Sequence, residues 1–268
     1  MSKFNSQNIL ITGGCSGIGL IMARKSLERG ANVVIWDINQ SAIDKTVNEL
    51  AQEGAISGYC VDISDSQQVE QCAARVKAEV GKIDILINNA GIVVGKSFSD
   101  HTISDIDRTM AINCNGAMYV TKAFLDDMIR CKHGHICNIA SSAGYVSNPN
   151  MSVYAASKWA VVGWSDSVRI ELKRGGTDVR VTTIMPYFIN TGMFDGVKSR
   201  IPILKPESAA EKIIRAIESN KKLRSIYGVL YPMTRLLQGL LPVTAFDFVA
   251  DKVFKIYNTM DKFTGRTK

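Results

Sequence analysis

The sequence predicts an α/β protein built on one open, doubly wound parallel sheet of about seven strands with helices on both faces. Two observations carry that expectation. Short β-branched and aliphatic runs alternate with longer amphipathic stretches, a pattern that implies parallel strands joined by right-handed helical crossovers. Each run also holds several apolar residues in succession, as strands covered on both faces do. A third observation fixes the starting point: the first run passes directly into the glycine-rich stretch TGGCSGIG at 12–19.

Taken in order, the first strand is expected over 9–12, where three aliphatic residues precede a threonine, and a helix over 18–29. The apolar stretch 32–36 gives the second strand, followed by a helix over 40–52. Strands at 56–61 and 83–87 bracket a helix at 66–80, and a long helical pattern covers 103–130. The strand at 135–139 leads to a helix at 152–173, and strands at 180–184 and 225–229 flank a helix at 207–220. The segment 187–206 is long and apolar, the character of a binding loop or lid. A tail over 232–268 carries two further helical patterns. With no internal repeat, low-complexity stretch or linker, residues 1–268 are expected to form one domain.

Bulk properties exclude several classes. Hydrophobic residues make up 46% and charged residues 21% of the chain, an ordinary globular balance. The net charge of +7 favours anionic partners. No basic block or aromatic-interleaved basic stripe is present, so nucleic acid is not expected as a partner. No secretory leader is read at the start and no apolar run reaches membrane-span length. Cys15, Cys60, Cys72, Cys114, Cys131 and Cys137 are scattered without C-x-x-C pairs, as reduced thiols of a cytoplasmic protein are.

The glycine stretch is the first candidate site. Gly13, Gly14, Gly17 and Gly19 permit a tight turn and close backbone approach to a pyrophosphate, and the helix N-terminus behind them offers unpaired N–H groups. At the end of the second strand stands Asp37, followed by Ile38. A carboxylate there accepts hydrogen bonds from the adenosine ribose hydroxyls and repels a 2′-phosphate. This predicts NAD rather than NADP. The competing reading is an aspartate that caps the turn after its strand.

At this point the chain resembles the short-chain dehydrogenase/reductase family, over roughly residues 6–230. TGGCSGIG matches the family's T-G-x-x-x-G-I-G; CVDISD places Asp62 and Ile63; NNAG spans 88–91; AINCNG holds Asn113; IASSAG holds Ser141; YAASK holds Tyr154 and Lys158. Tyr154 and Lys158 are four apart in a helical pattern and so share a helix face. Ser141 lies just beyond a strand's carboxyl end, where ligands bind in such sheets. The resemblance implies a Rossmann-fold oxidoreductase. Its cofactor contacts would come from Gly13, Cys15, Ser16, Gly17, Ile18, Gly19, Asp37, Ile38, Asp62, Ile63, Asn89, Ala90, Gly91, Tyr154, Lys158, Pro186, Ile189 and Thr191. Its catalytic residues would be Asn113, Ser141, Tyr154 and Lys158.

The chemistry that the resemblance implies is hydride transfer between a nicotinamide and an alcohol or carbonyl carbon. Tyr154 would move the hydroxyl proton, with Lys158 lowering its pKa from the free value of about 10. Ser141 would hydrogen-bond the substrate oxygen, and Asn113 would hold a water linked to Lys158. One departure stands out: the family's glycine after Pro186 is Tyr187 here, which cannot adopt glycine's conformations freely. The apolar lid, with Tyr187, Phe188, Met193, Phe194, Ile201, Ile203 and Leu204, suggests a steroid-, retinoid- or lipid-like substrate. Simple packing beneath the loop explains the same residues equally well.

The tail's endings LLPVTAFD and YNTMDKFTGR look similar to the retinol and hydroxysteroid dehydrogenase branch. Its apolar Leu236, Leu237, Leu240, Leu241, Phe246, Phe248, Val249, Val253 and Phe254 are interleaved with Lys252, Lys255, Lys262 and Arg266. Packing on its own domain or on another subunit is favoured over peripheral membrane contact. Long helices at 103–130 and 152–173 resemble those that pair in the family's homodimers and homotetramers. The alternatives are a non-catalytic NAD-binding sensor or scaffold, a sugar-nucleotide epimerase, and a reductase of small polar carbonyls. The intact Ser141, Tyr154, Lys158 and Asn113 argue against a sensor, and NNAG argues against an epimerase. A metal is not expected: in CKHGHIC at 131–137, Cys131 and His133 stand before a glycine turn while His135 and Cys137 enter a strand.

Overall fold

The computed structural model describes residues 3–265. Among them, seven parallel strands form one sheet in the order β3-β2-β1-β4-β5-β6-β7. The strands are β1 (Asn8–Thr12), β2 (Asn32–Asp37), β3 (Ile56–Cys60), β4 (Ile85–Asn88), β5 (Gly134–Ile139), β6 (Val179–Met185) and β7 (Leu223–Ser225). β1 pairs with β2 on one side and β4 on the other. The crossover direction therefore reverses between β1 and β4, and a crevice opens there at the strands' carboxyl ends.

Alternation along each strand sends neighbouring side chains to opposite faces. Ile9, Ile11, Ile35, Ile85 and Ile87 pack on one face with Met22 of α1 (Gly17–Leu27) and Ile213 and Ile214 of α7 (Pro206–Glu218). Leu10, Val34, Trp36, Leu86 and Ile136 pack on the other with Val69 and Val76 of α3 (Ser66–Glu79) and Phe124 of α5 (Gly116–Arg130). Full burial of each such side chain stabilises the fold by roughly 1.5–3 kcal/mol. Across the first face, Arg29 binds Glu211 at 2.8 Å and Glu218 at 3.2 Å, locking the end of the first crossover to α7.

Local chemistry sets the helix starts. Asn39 caps α2 (Gln40–Leu50) by accepting from the Ala42 amide, and Asp65 caps α3 through Gln67 and Gln68. Thr102 and Asp105 form a capping box on α4 (Ile103–Met110), satisfying otherwise orphaned N–H groups. The long helix expected over 103–130 is not uniform. A π turn at Ala111–Asn115 separates α4 from α5, with helical backbone on both sides. It places Asn113 and Cys114 inward, both buried.

The seventh strand differs too. It was expected over 225–229, but the chain pairs with β6 only at 223–225. β6 ends at Met185, and Pro186 has no N–H to continue the ladder. The chain instead turns into α8 (Leu230–Leu240) and α9 (Val243–Phe248).

This tail folds back on its own chain. Gln238 donates to the Tyr145 carbonyl at 2.9 Å, the Tyr231 ring stands edge-on to Tyr145, and Asn148 donates to the Thr259 hydroxyl at 2.7 Å. Leu236, Leu240, Val243, Phe248 and Val253 stay exposed. Among the described residues no helix is long and apolar enough to cross a membrane. Arg266, counted among the tail's charges, lies outside the described residues.

Candidate active site

The glycine turn is held by its neighbours. Gly13 sits at φ +65° and donates to the Trp36 carbonyl at 2.7 Å. A Cβ at Gly19 would collide with the Gly13 carbonyl oxygen, so α1 can approach the turn only with glycine there. Asn89 fastens the other side: its amide N–H donates to the Thr12 hydroxyl at 3.0 Å, and its side chain donates to the Thr12 and Gly13 carbonyls at 3.0 and 3.2 Å. The Ala90 N–H reaches the same hydroxyl at 3.1 Å.

Asp37 ends β2 and accepts from the amides of Cys15, Ile38 and Asn39 at 3.2, 2.9 and 3.3 Å. It therefore caps its turn and also ties the glycine loop to the second strand. Each carboxylate oxygen has two lone pairs, so these bonds leave capacity for further donors. The Ile38 side chain is exposed. Burial, with Asp37 adding to it, pushes the Cys15 thiol up to about 12, which makes it an inert packing group. Asp62 accepts from the Ser64 amide and hydroxyl at 2.9 and 2.6 Å, and Ile63 is buried against Gly116.

A cleft of about 650 Å³ runs from this turn across the ends of β4, β5 and β6. Gly13, Ser16, Gly17, Ile18, Asn89, Ala90 and Gly91 line one end; Ser141, Tyr154, Lys158, Pro186, Ile189 and Thr191 line the other. Cys15, Gly19, Asp37, Ile38, Asp62, Ile63 and Asn113 are not in this lining. Gly19 and Asn113 act beneath it, and the others stand at the turn and at the ends of β2 and β3.

Ser141 follows β5 in extended conformation and caps a single turn at Ser142–Gly144, its hydroxyl accepting from the Ala143 amide at 3.1 Å. Tyr154 and Lys158 lie one turn apart on α6 (Ser152–Arg174), both buried. The Lys158 ammonium donates to the Ile139 carbonyl at 3.0 Å and lies 5.7 Å from the centroid of the Tyr154 ring. Burial pushes the Tyr154 phenol up to about 12, and the opposing pull comes from the Ser141 hydroxyl. The sequence reading assigned that pull to Lys158; in the protein alone it comes from the serine, because the ammonium lies over the ring and is bonded to a carbonyl. Burial lowers Lys158 to about 8, with the Cys114 thiol opposing.

Asn113 is buried beneath the cleft. Its side chain accepts from the Ile92 amide at 2.8 Å and donates to the Ile92 carbonyl at 2.9 Å and the Ser157 hydroxyl at 3.1 Å. The amide group thus clamps the loop after β4 onto α6, and its oxygen and the Lys158 ammonium both lie close to Gly91. Tyr187 has no left-handed backbone, so this position does not require glycine. Its hydroxyl shares a hydrogen bond of 2.8 Å with Ser199.

The lid is closed at its base by a parallel bridge between Ile189 and Leu204. Above it, Phe194 packs edge-on against Tyr154 and Phe188, and Thr191 covers Gly17. Behind Ser141 lies a smaller chamber of about 50 Å³, lined among others by Ala143, Met151, Tyr187, Phe188, Phe194 and Ile201. Ser141, Tyr187 and Phe194 border both spaces. Of the expected lid residues, Leu204 is buried in the base and Ile203 is exposed.

Sequence reasoning missed Arg108, Gly95, Phe263, Thr264 and Gly265 in the cleft wall. The tail's end crosses the cleft: Phe263 occupies the space a Cβ at Gly95 would need, and Thr264 donates to the Asp195 carbonyl at 2.9 Å. No spacing signal links residues so far apart in the chain.

The stretch 131–137 separates. Cys131 is exposed, and His133 meets Gln7 at 3.0 Å. His135 lies 2.8 Å from the Thr182 hydroxyl, which itself donates to the Lys221 carbonyl; Cys137 is buried in the core. Since Thr182 spends its proton on Lys221, His135 Nε2 carries the hydrogen toward it. Burial lowers His135 to about 3.

Comparison with known proteins gives a consistent picture. The short chain dehydrogenase family profile matches residues 7–201. The mouse (Mus musculus) protein epidermal retinol dehydrogenase 2 is 37% identical over 268 residues, covering 97% of this chain and 86% of its own length. Zebrafish (Danio rerio) retinol dehydrogenase 10-A is 32% identical over 270 residues, with 89% and 79% covered. A Burkholderia phymatum short chain dehydrogenase/reductase, solved in complex with NAD, superposes with a TM-score of 0.82 at 26% identity, covering 89% of this chain and 95% of that one.

Proposed function

We propose that this chain, which belongs to the short-chain dehydrogenase family, is an NAD(H)-dependent oxidoreductase of alcohols and their carbonyl counterparts, acting on an apolar substrate. The observation that carries the proposal is the meeting of Ser141, Tyr154 and Lys158 in one cleft with the glycine turn. The retinol dehydrogenases among its relatives support an alcohol substrate. Asp37 supports NAD over NADP, because its carboxylate would repel a 2′-phosphate.

The residues fit a dinucleotide on structural grounds: a Cβ at Gly19 would force the helix away from the Gly13 carbonyl and open the tight turn, and the N-terminus of α1 faces the cleft through Gly17 and Ile18. An oxidised nicotinamide held in this cleft would supply the hydride acceptor and a positive charge. In oxidation, Tyr154 takes the substrate hydroxyl proton as the carbon–hydrogen bond gives up its hydride; in reduction, it returns that proton to the oxygen. Ser141 donates to the substrate oxygen and steadies charge developing there. Lys158, at about 8, is largely protonated at neutral pH and keeps a cation beside the ring. Asn113 positions the loop that carries Ile92. Pro186, Ile189 and Thr191 border the cleft beside the lid and are proposed to hold the nicotinamide carboxamide.

Self-association as a dimer or tetramer through α5 and α6 is supported by the exposed Tyr119, Ile129, Trp159 and Ile170, and light scattering of the purified chain tests it. The functional reading is tested by following NAD⁺ reduction over steroid, retinoid, aliphatic and sugar alcohols, with Tyr154→Phe as the control. The variant is expected to lose turnover by at least about a thousandfold while keeping NADH binding. Turnover near the wild-type level would refute the acid–base role. Oxidation is expected to rise with pH and reduction to fall, since one needs the phenolate and the other the phenol.

A further inference from the structure

The chamber behind Ser141 measures about 50 Å³. One water occupies about 30 Å³ of liquid, and sites that bury a drug-sized ligand measure roughly 300–1,000 Å³. The inner chamber therefore accepts the hydroxyl end of an apolar alcohol and excludes a fused ring system or a long chain. A second cavity of about 430 Å³ lies outside it, bounded by Arg200, Ile201, Tyr227, Gly228, Leu230 and Val253.

Ile201 and Leu230 line both spaces. One comes from the lid and the other from the first turn of α8, and both are half-buried. They form the wall between the chambers. The polar groups around the outer chamber are turned to backbone partners: Arg200 donates to the Val253 carbonyl at 2.8 Å, and the Tyr227 hydroxyl to the Pro202 carbonyl at 2.5 Å. What remains is an apolar surface. Its mouth opens beside Val229 and Val253, which are 67% and 51% exposed.

We propose that the outer chamber is a second substrate subsite, which takes the distal apolar part of an alcohol too large for the inner chamber while its hydroxyl end passes Ile201 and Leu230 to Ser141. This rests on the alcohol-oxidoreductase reading and adds the tail to the binding site. It explains why lid and tail are fastened together at Arg200 and Val253 instead of standing apart. Each methylene buried there raises affinity by roughly fourfold, so specificity should grow with chain length.

The test measures kcat/KM of the full chain for straight-chain primary alcohols from butanol to hexadecanol. Gly228 lines the chamber and a Cβ there meets nothing within 4 Å, so Gly228→Trp is designed to add an indole to it. Val253→Trp is designed to fill it from a second lining position, on the tail. Each variant should lower the hexadecanol-to-butanol ratio by about tenfold or more. A ratio within about twofold of wild type in both variants overturns the subsite. If wild type oxidises no alcohol, the functional reading fails, and the subsite is then judged by fluorescence binding of pyrene-labelled dodecanol. About tenfold weaker binding in Gly228→Trp supports it, and equal binding overturns it.

Discussion

At the β1 turn, Gly13, Gly17 and Gly19 lie within a few residues of one another, and the atoms they must avoid belong largely to the turn itself and to the neighbouring NNAG loop. At the lid and tail, Phe263 packs on Gly95 in the cleft wall, Asn148 bonds Thr259 and Arg200 bonds the Val253 carbonyl. The first region is a local device: a strand, a tight turn and a helix, adjacent in the chain and fixed by backbone sterics. The second is assembled from a loop, a lid and a tail brought together only by the complete fold. Local devices repeat with little change because their geometry leaves few solutions. Assembled walls can vary in shape while the chemistry beside them stays the same.

If that contrast is right, the largest effect of a small change should fall in the turn. Gly19→Ala places a Cβ against the Gly13 carbonyl and should weaken NADH binding by roughly a thousandfold, about 4 kcal/mol. Isothermal titration with a circular-dichroism check of folding measures it, and binding within tenfold of wild type would break the contrast.

A buried site residue should also carry a cost in stability. Lys158 falls from 10.5 to about 8 on folding. Between those values the unfolded chain binds a proton that the folded chain does not, so stability rises with pH across that window. Below pH 8 the buried charge costs on the order of 3 kcal/mol. Lys158→Met should therefore be more stable than wild type to urea at pH 7, with the gap narrowing by pH 10. A gap that does not change with pH would count against this assignment.

In the assembled region the effects should be smaller and spread out. Asn148→Ala removes the donor to the buried Thr259 hydroxyl and should cost about 1 kcal/mol. Amide exchange should quicken in 256–265 before it quickens in the sheet; uniform change across the chain would blur the distinction. The smallest effect belongs to Leu240→Glu on α8. At 71% exposure this side chain should cost less than about 0.5 kcal/mol by thermal unfolding, and a larger loss would mean that α8 is covered by something in solution.

Much of the site was legible because its residues sit at strand ends or on one helix face. Asn89, Ala90, Tyr154 and Lys158 were reached through motifs that resemble the family's, and the i, i+4 relation of Tyr154 and Lys158 added a shared helix face; the bonds from Asn89 and Ala90 to Thr12 emerge only in the fold. The roles of individual atoms were less legible. The neighbours of Asn113 in sequence gave no hint of Ile92 and Ser157, which bind both ends of its amide. The π turn that buries it was hidden in an unbroken helical pattern, because periodicity over a long window tolerates one extra residue per turn. The seventh strand was misplaced for a related reason: its length depends on where β6 stops.

The sequence by itself determined six of the sheet's seven strands and the glycine turn, and its resemblance to the short-chain dehydrogenase family pointed to Ser141, Tyr154 and Lys158. The strands and the turn follow from periodicities and turn chemistry that act over a few residues. The tertiary structure alone decided that the tail crosses the cleft, that Phe263 and Ile201 become walls, and that burial rather than a neighbouring charge dominates the pKa of Tyr154. Each of these depends on contacts between distant segments, and burial is a property of the whole packed chain that no local pattern encodes.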